Sequence, residues 1–147
     1  DETEKISDIN KPLFPKNRNG MSKMMKYLKT GNCIAVLFDQ AMGKGEQLMF
    51  FGRPAYTATS VAKMAIKYDA LLVPFFSERQ KDGFNFNLYF GEPISNKDPK
   101  IMTQSLNDLL EERVRKNMDQ WLWTHRRWKV PPNISPKDYA EKKFLDR

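Results

Sequence analysis

The sequence predicts an α/β fold with a mainly parallel sheet flanked by helices, and two apolar runs with the amphipathic stretch between them carry that expectation. Cys33-Ile-Ala-Val-Leu-Phe38 has the length and apolarity of a strand covered on both faces, and Asp39-Gln40 closes it with abrupt polarity. Thr57 to Tyr68 then shows helical spacing through Ala58, Val61, Ala62, Ala65 and Ile66. Ala70 to Phe76 forms a second apolar run that ends at Pro74-Phe75-Phe76. Strand, loop, helix, strand is a βαβ unit, whose crossover is normally parallel and right-handed.

The remaining elements follow from local signals. Residues 1–18 are polar, carry Pro12 and Pro15 and hold no sustained period, so they read as a loop or a loosely held end. Met21, Met24, Met25 and Leu28 fall at i, i+3, i+4 and i+7, with Asn19 placed as an N-cap and Gly31 just past the end, which predicts a helix of three turns. A glycine-rich loop runs to Pro54. Gln80-Lys-Asp-Gly83 is a turn signal, after which Phe84, Phe86, Leu88 and Phe90 alternate with Asn85, Asn87 and Tyr89 as a hairpin strand with one greasier face. From Lys100 to Met118, Leu106, Leu109, Leu110 and Val114 share one helical side. In the tail, Ser135-Pro136-Lys137-Asp138 supplies an N-cap, a first-turn proline and an acidic third position for a short helix over 136–145.

A chain of 147 residues is one domain's length and can bury a core. It opens on Asp1, which points to a processed or truncated start. The formal charge of +7 favours anionic partners, whether phosphorylated lipid, acidic protein or nucleic acid. One cysteine, Cys33, excludes an intrachain disulfide and is expected to be a small core residue in a reducing environment. The longest purely apolar run is far too short to cross a bilayer.

Chemistry concentrates in residues 121–129, where nine positions hold all three tryptophans, the only histidine and two adjacent arginines. Guanidinium groups offer planar donor forks that fit phosphate or carboxylate oxygens, and tryptophan joins a large apolar body to one N–H donor. Arg126 and Arg127 would point about 100° apart on a helix, so one of them is expected to face the fold. Its bland role there is a salt bridge, with Glu111, Glu112 or the second domain face as partner. The tryptophans read as packing rather than a ligand cage. As the only histidine, His125 is the one side chain with an ordinary pKa suited to neutral-pH base work, but Asp119 would reach it only if the chain folded back. Asp39-Gln40 stands at a strand end, where α/β sheets place ligands. Gly43-Lys44-Gly45 lacks the spacing of a nucleotide loop. Phe50-Phe51-Gly52-Arg53 with Thr57 reads either as an apolar lip before a phosphate-binding group or as a plain helix start.

Gln120 to Lys129 also resembles the C-terminal signature of the bacterial lipid A late acyltransferases, Gln-Trp-Leu-Trp-x-His-Arg-Arg-Trp/Phe-Lys. Further resemblance runs through Gly31, Asp39-Gln40, Phe50-Phe51-Gly52, Ala55, Thr57, Ala70-Leu71-Leu72-Val73-Pro74 and Arg79, covering residues 18 to 129. The family's catalytic His-x-x-x-x-Asp/Glu is not found, because the fifth position after His125 is Val130. The resemblance implies a glycerolipid-acyltransferase-like fold, of which this chain is a C-terminal portion: residues 19–129 within the catalytic domain, 130–147 a tail. It implies transfer of a fatty acyl group from acyl carrier protein, or acyl-CoA, to a hydroxyl of a phosphorylated glycolipid, the lipid A precursor. The expected place is the cytoplasmic face of the bacterial inner membrane, against its anionic surface, with no cofactor, no metal and no nucleic acid. Arg18, Arg53, Arg79, Arg126 and Arg127 are the expected phosphate or carrier contacts, Asp39, Gln40 and Thr57 the acceptor-pocket candidates, and His125 a further substrate-binding residue through a hydrogen bond. The catalytic pair would lie upstream, leaving this chain alone inactive. The alternative is a non-catalytic basic module that binds anionic lipid or nucleic acid.

Overall fold

A two-residue turn organises the better-packed part of the chain. Phe51 and Gly52 both adopt positive φ, 52° and 64°, and this backbone matches the right-handed twist of flanking antiparallel strands. It joins β1 (Glu46–Phe50) to β2 (Arg53–Thr57), with Glu46 opposite Thr57 and Phe50 opposite Arg53. Gly45 lies so close to the other strand that a Cβ there would sit 2.5 Å from the Thr57 carbonyl oxygen. The computed structural model describes residues 12–15, 17–41, 45–95 and 97–129. It divides into two units, Asp1–Val36 and Leu37–Arg147.

The first unit holds α1 (Arg18–Lys29). Its N-cap is Asn17, not Asn19: the Asn17 Oδ1 accepts from the Gly20 N–H at 2.8 Å. Gly20 is buried against Pro15, and the Phe14 and Tyr27 rings lie 5.7 Å apart. Gly31, at φ 82°, follows the helix end as its sequence position suggested. The expected strand at residues 33–38 is absent: residues 32–39 carry no strand, Cys33 is exposed rather than a core residue, and Leu37 is 81% exposed. An apolar run specifies burial without specifying the neighbour that would pair with it, and no strand among the described residues does so.

In the second unit, α2 (Ser60–Tyr68) and α3 (Pro99–Lys116) pack through Ala62, Ala65 and Met102, with Leu72 and Ile94 alongside. The cap of α3 is Asp98, whose carboxylate accepts from the N–H groups of Lys100 and Ile101, and Pro99 fills the first position where no donor is needed. Leu106, Leu110 and Val114 are buried as their spacing requires. A second hairpin joins β3 (Phe75–Arg79) to β4 (Phe86–Phe90) across the expected turn, with Phe75 opposite Phe90 and Arg79 opposite Phe86. A single 3-10 turn, Met118–Gln120, leads into the tryptophan segment.

The expected parallel sheet is therefore replaced by two separate two-stranded antiparallel sheets among the described residues. Residues 46–57, read as loop and helix start, form a hairpin, because Phe51-Gly52 makes a tight turn that a parallel reading has no use for. Ala70 to Phe76 pairs later than expected: Leu72 makes only an isolated bridge to Ile94, and the ladder starts at Phe75. The covered face of β3–β4 carries Phe76 and Tyr89, which sandwich the Arg113 guanidinium at 5.7 and 4.5 Å. The greasier face, Phe86, Leu88 and Phe90, lies open, as does Phe84 in the turn. Gly43-Lys44 and the tail helix expected over 136–145 fall outside the described residues. No helix among those described is long and apolar enough to cross a membrane.

Candidate functional site

The β1–β2 hairpin would leave one strand edge with unmet backbone groups, and side chains of α3 satisfy them. Gln104 accepts from the Met49 N–H at 2.8 Å and donates to the Met49 carbonyl at 3.1 Å. Asn107 donates to the same carbonyl at 3.1 Å, and Glu111 accepts from the Phe51 N–H. An edge closed in this way leaves these backbone groups paired.

Behind the hairpin lies a fully buried polar cluster. Arg127, Asn107 and Thr57 are each 0% exposed. Arg127 donates through Nη1 to the Tyr56 carbonyl at 3.2 Å, and through Nη2 to Thr57 Oγ1 at 2.7 Å and Asn107 Oδ1 at 3.1 Å. Asn107 Nδ2 in turn donates to Thr57 Oγ1 at 3.2 Å. The guanidinium lies 5.1 Å above the Phe50 ring. Phe50 is also flanked by Trp121 and Trp128 at 6.0 and 5.6 Å, and Trp128 Nε1 donates to the Phe50 carbonyl. The tryptophan box thus packs as a series of turns over the hairpin core, with Phe50, Ala55, Leu110 and Val114 at the centre.

Only some of the expected site residues come together. Thr57 and Arg127, both expected as ligand contacts, are bonded to each other and fully buried. One arginine of the pair does face the fold, but it meets neutral acceptors here; Glu111 and Glu112 bond instead to Arg115 and Lys116. Arg126 is exposed, as is Arg53, whose guanidinium lies 5.9 Å over the Trp128 ring. Phe50, read as part of an apolar lip, is core. His125 is half-buried, its backbone engaged with Leu122 and Arg127, and its ring makes no hydrogen bond to Asp119. Asp39 is half-buried and Gln40 exposed, both outside regular structure. Arg18 opens α1 in the first unit.

Arg79 sits apart, at the end of β3, with its backbone bonded to Gln120 and its guanidinium 5.4 Å over Phe86. It lines an open depression of about 580 Å³ whose other walls include Glu78, Lys81, Asp82 and Asp119. Three carboxylates against two cations make poor ground for an anion. Among the described residues, no His, Cys, Asp and Glu group could hold a metal ion. Asn107 was missed from sequence, although a lone amide among Thr103, Leu106, Leu110 and Val114 on a buried helix face is a signal that it must bond to something internal.

Hairpin, helix and tryptophan turns together define a scaffold closed by a buried guanidinium, with further arginines displayed at its surface. The chain belongs to the bacterial lipid A biosynthesis acyltransferase family, whose model matches residues 7–130. It is 27% identical over 129 residues to a lipid A biosynthesis lauroyltransferase of Escherichia coli K12, covering 84% of this chain and 42% of that protein. With a lipid A biosynthesis acyltransferase of Haemophilus influenzae Rd it shares 23% identity over 124 residues, 80% of this chain and 40% of the relative. The chain spans well under half the length of these curated relatives.

Proposed function

We propose that this chain is part of an enzyme that moves a fatty acyl group from acyl carrier protein, or acyl-CoA, to a hydroxyl of a phosphorylated lipid A precursor at the cytoplasmic face of the inner membrane. The family match across residues 7–130 carries the reading. In such a reaction the acceptor oxygen attacks the thioester carbonyl, the new C–O bond forms, the C–S bond breaks, and the hydroxyl proton passes through a base to the departing thiol. His125 is not that base, since no acid orients its ring among the described residues and Val130 stands where the family motif places one. The resembled motif would supply the base, and this chain alone would not turn over.

What this chain contributes is the acceptor side. Arg53 and Arg126, both exposed and both close to Trp128 in space or in sequence, are the phosphate-binding pair; Asp39 and Gln40 are acceptor-pocket residues. Arg127, Thr57 and Asn107 hold the surface that displays them. The test is the affinity of the full chain for a phosphorylated lipid A precursor in neutral detergent micelles. Arg53→Gln with Arg126→Gln should weaken it by about tenfold or more, the value of losing charge-assisted bonds. Unchanged affinity, or equal affinity for a dephosphorylated analogue, overturns the assignment.

A further inference from the structure

The charge of this chain is not spread evenly. Between Ile9 and Phe38 there are six lysines and arginines and no acidic residue, so thirty positions carry +6 of the total +7. Four of those cations, Arg18, Lys23, Lys26 and Lys29, lie on α1 and are exposed. At about 100° per residue they fall within an arc of about 140°. Met24, Met25, Tyr27 and Leu28 occupy the rest of the circumference and are half-buried.

The helix itself uses only part of this pattern: Lys26 and Lys29 stand in the last turn, where cations favour the dipole. Arg18 stands in the first turn, which holds no acid, so it meets the positive end of the helix dipole. Lys23, Lys26 and Lys29 repeat every third residue, so like charges are neighbours along the surface. A row of like charges beyond what the helix uses points to an outside partner of opposite charge.

We infer that the cationic face of α1 docks the chain onto an anionic phospholipid surface. The occupant is a bilayer and not an acidic protein for a physical reason. Three of the four cations are lysines, point charges on flexible stems that match a diffuse sheet of headgroups. A protein interface would need a packed apolar centre with aromatic anchors. The aromatic ring of the helix, Tyr27, is instead engaged with Phe14. The lysine stems can lie along the headgroup region while their ammonium groups meet the phosphates. The choice of a lipid surface rests on the lipid-acceptor reading above.

The test is co-sedimentation of the full chain with large vesicles of phosphatidylcholine alone or with one third phosphatidylglycerol. Binding should require the anionic lipid and fall steeply between 0.1 and 0.5 M salt, as the Debye length shortens from about 10 Å at 0.1 M towards about 3 Å at 1 M. Lys23→Gln with Lys26→Gln should weaken it roughly twentyfold, at about fivefold per cation. Lys23→Arg with Lys26→Arg, which keeps the charge, should bind as the parent does. Equal binding to both vesicle types, or no loss in the glutamine variant, overturns the proposal. Failure to bind anionic vesicles, with salt-sensitive binding to an acidic soluble protein, overturns it in favour of a protein partner. The micelle measurement contains no bilayer, so acceptor binding stands or falls independently.

Discussion

Arg127 shows how one side chain can carry a fold's specificity. It donates to three neutral oxygens, the Tyr56 carbonyl and the Thr57 hydroxyl on β2 and the Asn107 amide oxygen on α3, and a shorter cation cannot reach them all. Replacing it with methionine preserves the bulk over Phe50 but leaves the Tyr56 carbonyl, Thr57 hydroxyl and Asn107 amide oxygen short of donors. The cost should be about 2–4 kcal/mol, read as a lower urea midpoint at unchanged slope. A stability equal to the parent would show that the cluster is incidental. The sequence told that one arginine of the pair faces inward; it could not tell which, or that the partners would be neutral. That choice depends on Thr57 and Asn107, which lie 70 and 20 positions away. Long-range pairing of this kind leaves no periodic mark.

Elements were legible where their signals are local. The three helices follow from apolar spacing, though their starts and caps did not, and the Gln80–Gly83 turn and the strand after it follow from turn residues and alternation. The first hairpin was not, because its turn begins with Phe51, a residue that seldom accepts positive φ. Only the Gly52 half of the signal is conventional. The β3–β4 turn, in contrast, is built on Asp82, whose carboxylate accepts from the N–H groups of Phe84 and Asn85 and from the Asn85 side chain. Those bonds, Asn85's backbone first, hold its pKa below the ordinary carboxylate value. A depressed carboxylate adds its stabilisation above the unfolded pKa and loses it as pH falls through the folded one. Amide exchange at Phe84 and Asn85 should therefore be slow at neutral pH, after correction for intrinsic rates, and lose protection only below the usual aspartate range. In Asp82→Asn that acid-dependent loss should vanish. A protection pattern indifferent to acid in the parent would refute the role.

At the scale of the whole molecule, the sequence conveyed the family but not the sheet. The runs at 33–38 and 70–76 are as apolar as parallel strands, yet parallel pairing needs neighbours far away in the chain. Here antiparallel ladders form through near neighbours instead. One result is the open face of β3–β4, where Phe86, Leu88 and Phe90 are 52, 59 and 69% exposed and Phe75 stacks on Phe90. A two-stranded ribbon with one open apolar face favours association. Phe86→Ser with Phe90→Ser should raise the monomeric fraction in size-exclusion chromatography and reduce binding of an apolar dye, with unchanged helical signal. If self-association persists unaltered, another surface drives it.

The tryptophan turns have a temporal meaning as well. Residues 121–129 supply the lid, the guanidinium and the indole N–H that complete a core whose other half is laid down from residue 45 onward. During synthesis the hairpin and α3 emerge first, and at that stage Phe50 faces water while Thr57 and Asn107 lack their shared donor. This core closes only when the last residues of the box are released, which makes the preceding interval one in which the nascent hairpin and helix are exposed to chaperones and proteases.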